Sequence, residues 1–208
     1  MGSSPEAPES PLEGVRLDSS QVVQAAGVLA RAFQNDPLMV YYLQDPARRA
    51  RVLPGFMRAA LRYCMRYGEV FATPGLEGIS CWLPPGETHL RTLAMARAGM
   101  GVVSIRLGWW AYQRMARLEP LLDRIHSAAF PSPHWYLMIL GVDPGCQGAG
   151  NGSRLLAWKL ARIRASGLPC YLETMSARNL PFYRKNGFRV VSETEVDAGK
   201  LSIWGMAA

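Results

Sequence analysis

The sequence predicts an α/β (α+β) fold, with a single mixed, mostly antiparallel central sheet flanked by helices. Three observations carry this. The apolar run Trp135–Val142, a glycine-rich turn, an amphipathic stretch over 153–165 and a second apolar run at Cys170–Thr174 read as one strand–helix–strand unit. Strand pairs separated by turn residues flank that unit, 69–73 with 79–83 and 188–196 with 201–206. A chain of 208 residues with 49% hydrophobic content supports one good core, and one domain over 14–208 accounts for it.

The elements follow in order. Asp18-Ser-Ser-Gln21 has the form of a capping box, and Val22, Val23, Ala26, Leu29, Ala30 and Phe33 then recur at helical spacing until Asn35-Asp36-Pro37. A second helical pattern spans 47–67, with Phe56, Ala60, Leu61 and Cys64 on one side. The first hairpin turns at Pro74-Gly75-Leu-Glu-Gly78 and is closed by Pro84-Pro85-Gly86. From Thr88 to His126 the pattern is helical again with a break near Gly108. The segment 86–130 thus reads as a helical insertion, expected as a cap over the substrate cleft. A short helix over 179–186 follows the second strand of the central unit, and Asp197-Ala-Gly-Lys200 turns the last hairpin.

Composition bounds the function. The polar, proline-rich start over 1–13 reads as a disordered tail and lacks the basic and apolar regions of a signal peptide. The most apolar long stretch, 98–112, is interrupted by Arg106 and glycines, so no membrane partner is expected. Four cysteines without a Cys-x-x-Cys pair fit reduced thiols in the cytoplasm, and three unclustered histidines give no metal site. The net charge of +7 comes from dispersed arginines with no basic run longer than two, which points away from nucleic acid and suits a polyanionic small ligand.

Chemistry concentrates after Val142. Glycines 148, 150 and 152 let consecutive N–H groups converge on an anion, and the helix that follows adds the positive end of its dipole. Glu173 lies mid-strand in the apolar run Cys170-Tyr-Leu-Glu-Thr-Met, where a carboxylate needs a cleft or a partner. It reads as a base whose pKa burial raises, or as a structural carboxylate bonded to backbone or Arg178.

Farther on, the phrase Arg178-Asn179-Leu-Pro-Phe-Tyr183 precedes Gly187-Phe188. Together with the Gln147-x-x-Gly150-x-Gly152 turn and Leu172-Glu173-Thr174, it resembles the GNAT superfamily of acyl-CoA-dependent N-acyltransferases. Within it the likeness is nearest to the puromycin N-acetyltransferase branch. The resemblance is tight over 135–206, looser over 15–82, and transfers nothing between Pro84 and Pro133.

It implies one acyltransferase domain that moves an acetyl group from acetyl-CoA, the co-substrate, to an amine by direct attack, without a metal. Gln147, Gly148, Ala149, Gly150, Asn151, Gly152, Ser153 and Arg154 would hold the pyrophosphate. Leu140, Gly141 and Val142 would face the pantetheine arm and acyl carbonyl, and Asn179 would bond the pantetheine amide or cap its helix. Tyr183 would protonate the departing thiolate with a nearly matched pKa, its other reading being a core aromatic. Two positions depart from the family pattern: Ala149 stands where Lys or Arg is common, and Asn151 where Ile or Leu packs beneath the helix.

The acceptor is read as a small-molecule amine, with an antibiotic-like amine as one candidate. The alternatives are a protein N-terminus or lysine, or a CoA-binding regulatory protein without turnover. Trp109 and Tyr112, three residues apart in the insertion, are candidates for an aromatic wall near Glu173, or for the core of the cap. His134 opens the strand beside the cleft as a substrate contact or an ordinary satisfied histidine. Monomer and homodimer are both compatible with the sequence.

Overall fold

The computed structural model describes residues 14–208, so the tail expected over 1–13 lies outside the described residues. The chain runs β1 (Val15–Arg16), α1 (Val22–Ala32), α2 (Pro37–Tyr42), α3 (Pro46–Tyr67), β2 (Glu69–Ala72) and β3 (Gly78–Leu83). The insertion supplies α4 (Thr92–Met95), α5 (Gly101–Leu107) and α6 (Trp109–Ala129). Then come β4 (Trp135–Val142), α7 (Asn151–Ala165), β5 (Cys170–Thr174), α8 (Leu180–Lys185), β6 (Arg189–Val196) and β7 (Leu201–Ala207).

Helix starts are set by side chains. The capping box forms ahead of α1: Asp18 accepts from the Ser20 N–H at 2.8 Å, while the Gln21 side chain accepts from the Asp18 N–H at 3.0 Å. Asp36 and Asp45 repeat one device, each capping a helix whose first residue is a proline. The Asp36-Pro37 pair was read above as the end of a helix; it also begins α2, which brings Met39 and Tyr42 into the core.

Among the described residues the sheet has seven strands in the order β1-β2-β3-β4-β5-β7-β6. Among the described residues only β4 and β5 run parallel and the other pairings are antiparallel, as the mixed, mostly antiparallel sheet was expected to be. Alternation along the strands divides the core between the two faces. One face packs α1, α2, α3 and the insertion through residues such as Leu29, Met57, Ile79 and Ile203. The other packs α7 and α8 through Leu156, Leu160, Leu172 and Phe188.

The insertion is helical, as expected, and it breaks at Gly108, whose φ of 73° ends α5. Its C-terminal half joins the core through Leu118, Leu121, Leu122 and Ile125. At its N-terminal half Val102, Ile105, Trp109 and Trp110 remain exposed.

Candidate active site

Sheet geometry positions the site. β4 and β5 pair at Trp135 with Cys170, Tyr136 with Tyr171 and Leu137 with Leu172, and there the pairing stops. β4 carries on to Val142 against β3 alone, while β5 carries on to Thr174 against β7 alone. The divergence coincides with a bulge: Cys81 opposes Ile139 and Trp82 opposes Leu137, leaving Met138 as the extra residue on β4. A bulge bends and twists the strand that carries it, which turns Leu140, Gly141 and Val142 away from β5. The resulting cleft is edged by strand backbone, the one kind of sheet interior where main-chain groups are left for a ligand.

At the end of β4 the turn closes over its own side chains. Gln147 donates to the Val142 carbonyl at 3.1 Å and Asp143 accepts from the Gly145 N–H at 3.2 Å. Arg31 of α1 donates through Nε to Asp143 at 3.0 Å, tying α1 to the turn and holding the Asp143 carboxyl below its ordinary range. Among the described residues, the backbone N–H groups of Gln147 through Ser153 donate to no protein acceptor, and the first α7 bond is Arg154 N–H to the Gly150 carbonyl. Gly148 and Gly150 adopt φ of 81° and 79° and have open space where a Cβ would stand.

Gly141 and Gly152 serve packing. A Cβ on Gly141 would meet Leu29 at 2.6 Å and Phe33 at 3.0 Å, so this position lets α1 lie close on β4. A Cβ on Gly152 would meet Phe182 at 3.3 Å, where α7 approaches α8.

Asn151 begins α7, so the helix forms with Asn where Ile or Leu is common. Its side chain donates to the Cys146 carbonyl at 3.2 Å and accepts from Arg154 at 2.8 Å. Arg154 also donates to the Ala149 carbonyl at 3.2 Å, so it folds back over the position where a cation was missing. Its Nε is buried without a partner among the described residues. Free N–H groups, a helix N-terminus and one incompletely paired guanidinium form a donor set that fits a pyrophosphate.

Glu173 stands on the sheet face covered by the insertion, its side chain 6% exposed. Tyr136 donates to one carboxylate oxygen at 3.1 Å and Tyr171 to the other at 3.2 Å. These bonds favour the anion, yet burial outweighs them, with Glu119 and Asp123 acting in the same sense, and the Glu173 carboxyl is pushed up to about 7. Its partners are therefore tyrosines; neither Arg178 nor backbone holds it.

His126 of α6 lies beside Glu173, with Nδ1 3.9 Å from the carboxylate. Its Nε2 is 2.8 Å from Nε2 of His134, whose Nδ1 lies 2.6 Å from the Ser132 carbonyl. Burial pushes His126 down to about 4, reinforced by His134, and lowers His134 as well. Tyr136, Tyr171, Phe130 and the two imidazoles pack ring on ring around the carboxylate, with centroid separations of 4.6 Å for His126–Tyr136 and 5.5 Å for Phe130–Tyr171.

Tyr183 on α8 is 7% exposed between Phe182 and Phe188. Burial raises its phenol above the ordinary value, with Asp36 adding to the effect. The nearly matched proton transfer expected at Tyr183 is corrected accordingly: this hydroxyl holds its proton more tightly than a free phenol. Asn179 donates to Thr174 Oγ1 at 3.2 Å and makes no capping bond to α8, so its expected capping role is not realised.

The aromatic wall also needs correction. Trp109 and Tyr112 are 65% and 41% exposed and pack on each other with centroids 6.4 Å apart. They begin α6, whereas His126, which touches the Glu173 region, lies 17 and 14 residues farther along it, about 20–25 Å at the helical rise. The rings against Glu173 are those of Tyr136, Tyr171 and His126, with Phe130 stacked on Tyr171. Two of these were legible: Tyr171 and Glu173 are two apart on β5 and so share a face, and Tyr136 is opposite Tyr171 once the strands are paired. Nothing in the local pattern around His126 marks it, because its partner Glu173 arrives from a distant strand.

The chain and its fold are similar to known proteins. Residues 104–190 match the sequence profile of the acetyltransferase (GNAT) domain. The chain is 25% identical over 179 residues, 83% of its length, to an uncharacterized N-acetyltransferase, C550.08, of Schizosaccharomyces pombe, of which it covers 72%. The fold superposes with a TM-score of 0.63 on a Corynebacterium glutamicum structure described as histone acetyltransferase HPA2 and related acetyltransferase, at 20% identity and 94% coverage of each chain. It superposes with a TM-score of 0.60 on a mosquito arylalkylamine N-acetyltransferase like 5b, at 16% identity over 94% of this chain and 97% of that one. The fold is thus that of the GNAT acetyltransferases.

Proposed function

We propose that this protein is an acetyl-CoA-dependent N-acetyltransferase that transfers an acetyl group to a small-molecule amine, with 14–208 acting as one acyltransferase domain. The observation that carries the reading is the pairing of two sites on the same splayed strands: the anion-ready turn Gln147–Ser153 beyond the C-terminal end of β4, and a buried carboxylate on β5, one residue past the last β4–β5 pair. In this reading the turn N–H groups and Arg154 hold the pyrophosphate, the β4 backbone from Leu140 to Val142 receives the pantetheine arm and acyl carbonyl, and Asn179 bonds a pantetheine amide. Acetyl-CoA supplies the thioester, and the remaining work falls to the chain's own groups.

An amine attacks only when neutral. Glu173, with a carboxyl near 7, takes the proton from the arriving ammonium and offers it a complementary charge beforehand. Tyr183, protonated throughout the working range, donates a hydrogen bond to the sulfur as negative charge develops there, and the energetic gain is largest at that moment. The small-molecule acceptor is supported by the enclosure of Glu173 under α6 within a wall of Phe130, Tyr136 and Tyr171, which suits an amine with an apolar body. The motif likeness at 141–154 and 178–183 supports an antibiotic-like amine as one candidate class. Reduced thiols at Cys64, Cys81, Cys146 and Cys170 support a cytoplasmic setting.

The test is CoA release with acetyl-CoA against a panel containing arylalkylamines, diamines, puromycin and a lysine-bearing peptide. Turnover of a small amine is expected. Turnover of the peptide alone would replace the acceptor class, and tight acetyl-CoA binding with no turnover of any amine would favour a regulatory role.

A further inference from the structure

We infer that His126 is a positioning residue for Glu173: locked by His134 as the Nε2–H tautomer, it presents a bare Nδ1 that accepts a hydrogen bond from Glu173 once that carboxylate has taken the substrate's proton. This rests on Glu173 being the base. The lock can be read from its far end. The Ser132 carbonyl can only accept, so His134 Nδ1 at 2.6 Å must carry the hydrogen. Neutral His134 then has its lone pair on Nε2, and the atom facing that lone pair at 2.8 Å, His126 Nε2, must be a donor. His126, neutral in turn, has no hydrogen on Nδ1, the atom 3.9 Å from Glu173 Oε1.

Burial keeps both rings neutral, since it lowers the pKa of each. The pair is itself buried, with His126 and His134 each 4% exposed.

The proton balance is simple. One ammonium N–H bond breaks, its electron pair stays on nitrogen, and one O–H bond forms on Glu173, which donates to the His126 lone pair after the side chains close about 1 Å. A neutral acceptor stabilises the protonated carboxyl without placing a cation beside it. The other groups facing Glu173 are accounted for: Tyr136 from β4 and Tyr171 from β5 donate to the anion, and Glu119 and Asp123 from α6 oppose the anion. On the outer side His89 pairs with Asp123 at 2.7 Å, its ring centroid 5.8 Å from that of His126.

The experiment is histidine 15N NMR together with a 13C titration of the Glu173 carboxyl. In the wild-type protein His126 should show Nε2–H and His134 Nδ1–H. In His134→Leu the lock is lost, His126 can carry hydrogen on Nδ1 and donate to the carboxylate, and the Glu173 midpoint should fall by about one pH unit. His134→Gln, which keeps a carbonyl acceptor for Nε2–H, should restore both. The acid limb of the kcat/KM profile should move with the Glu173 midpoint.

An Nδ1–H tautomer of His126 in the wild type, or an unmoved Glu173 midpoint in folded His134→Leu, overturns the inference. A midpoint that moves while the rate profile does not would leave the lock standing and remove Glu173 as the base. Should His134→Leu fail to fold, the wild-type tautomers and His134→Gln decide the matter.

Discussion

At residue 173 a carboxylate sits where burial makes its charge costly, and the two tyrosine hydrogen bonds compensate only in part. Because the folded-state pKa, about 7, lies above the ordinary carboxyl value, the folded protein binds this proton more tightly than the unfolded chain. That contribution is complete at pH below about 4.5 and is lost as pH rises through 7. Glu173→Gln, a neutral isostere, should therefore raise stability at pH 8 by on the order of 3 kcal/mol while leaving it nearly unchanged at pH 4. Thermal unfolding at the two pH values checks this; equal effects at both would mean that the side chain is ionised freely in the fold. At Tyr183 the expectation is different: Tyr183→Phe should keep acetyl-CoA affinity and lower kcat by roughly 10²-fold, the scale of a lost acid. A wild-type rate in single-turnover measurements would make Tyr183 a core aromatic.

The strand–turn–helix element from β4 to α7 was legible in the sequence because its signals are local. The apolar run, the glycines and the amphipathic helix each report on their own neighbourhood, and only the division of labour among the glycines needed coordinates. Gly148 and Gly150 have left-handed backbone and open surroundings, whereas Gly141 and Gly152 are pressed by Leu29 and Phe182. The two kinds should respond differently to substitution. Gly150→Asp, which places a side chain and a negative charge at the cradle, should weaken acetyl-CoA binding at least tenfold, about 1.4 kcal/mol by calorimetry. Gly141→Ala, overpacked against α1, should lower stability by about 1–3 kcal/mol in chemical denaturation. The short helix α2 was missed because Asp36-Pro37 is equally good as a terminus and as a start, and a six-residue helix offers little periodicity to decide between them.

Over the whole molecule, three separate segments converge at the candidate site: the bulged β4, the diverging β5 and the C-terminal half of α6. Such convergence leaves no trace in any one segment. The sequence singles out Glu173 and Tyr183 as candidates from their own strand and helix, whereas it sets the aromatic wall at Trp109 and Tyr112, at the end of a 21-residue helix far from the His126 that lies beside Glu173. Trp109→Ala should accordingly leave the KM for the amine unchanged in steady-state assays; a several-fold rise would return that end of α6 to the acceptor site.

In the proposed reaction the carboxylate under α6 removes a proton from the amine that attacks an acetyl-CoA held at the turn. The pH dependence of kcat/KM for an amine found by the CoA-release panel, measured for the wild-type protein and Glu173→Gln, tests this directly. The wild type should gain activity as pH rises through about 7, the value set by the buried carboxyl. Glu173→Gln should lose that limb and about 10²-fold or more of the rate, with acetyl-CoA affinity unchanged. A folded Glu173→Gln with the wild-type rate and profile would contradict the claim.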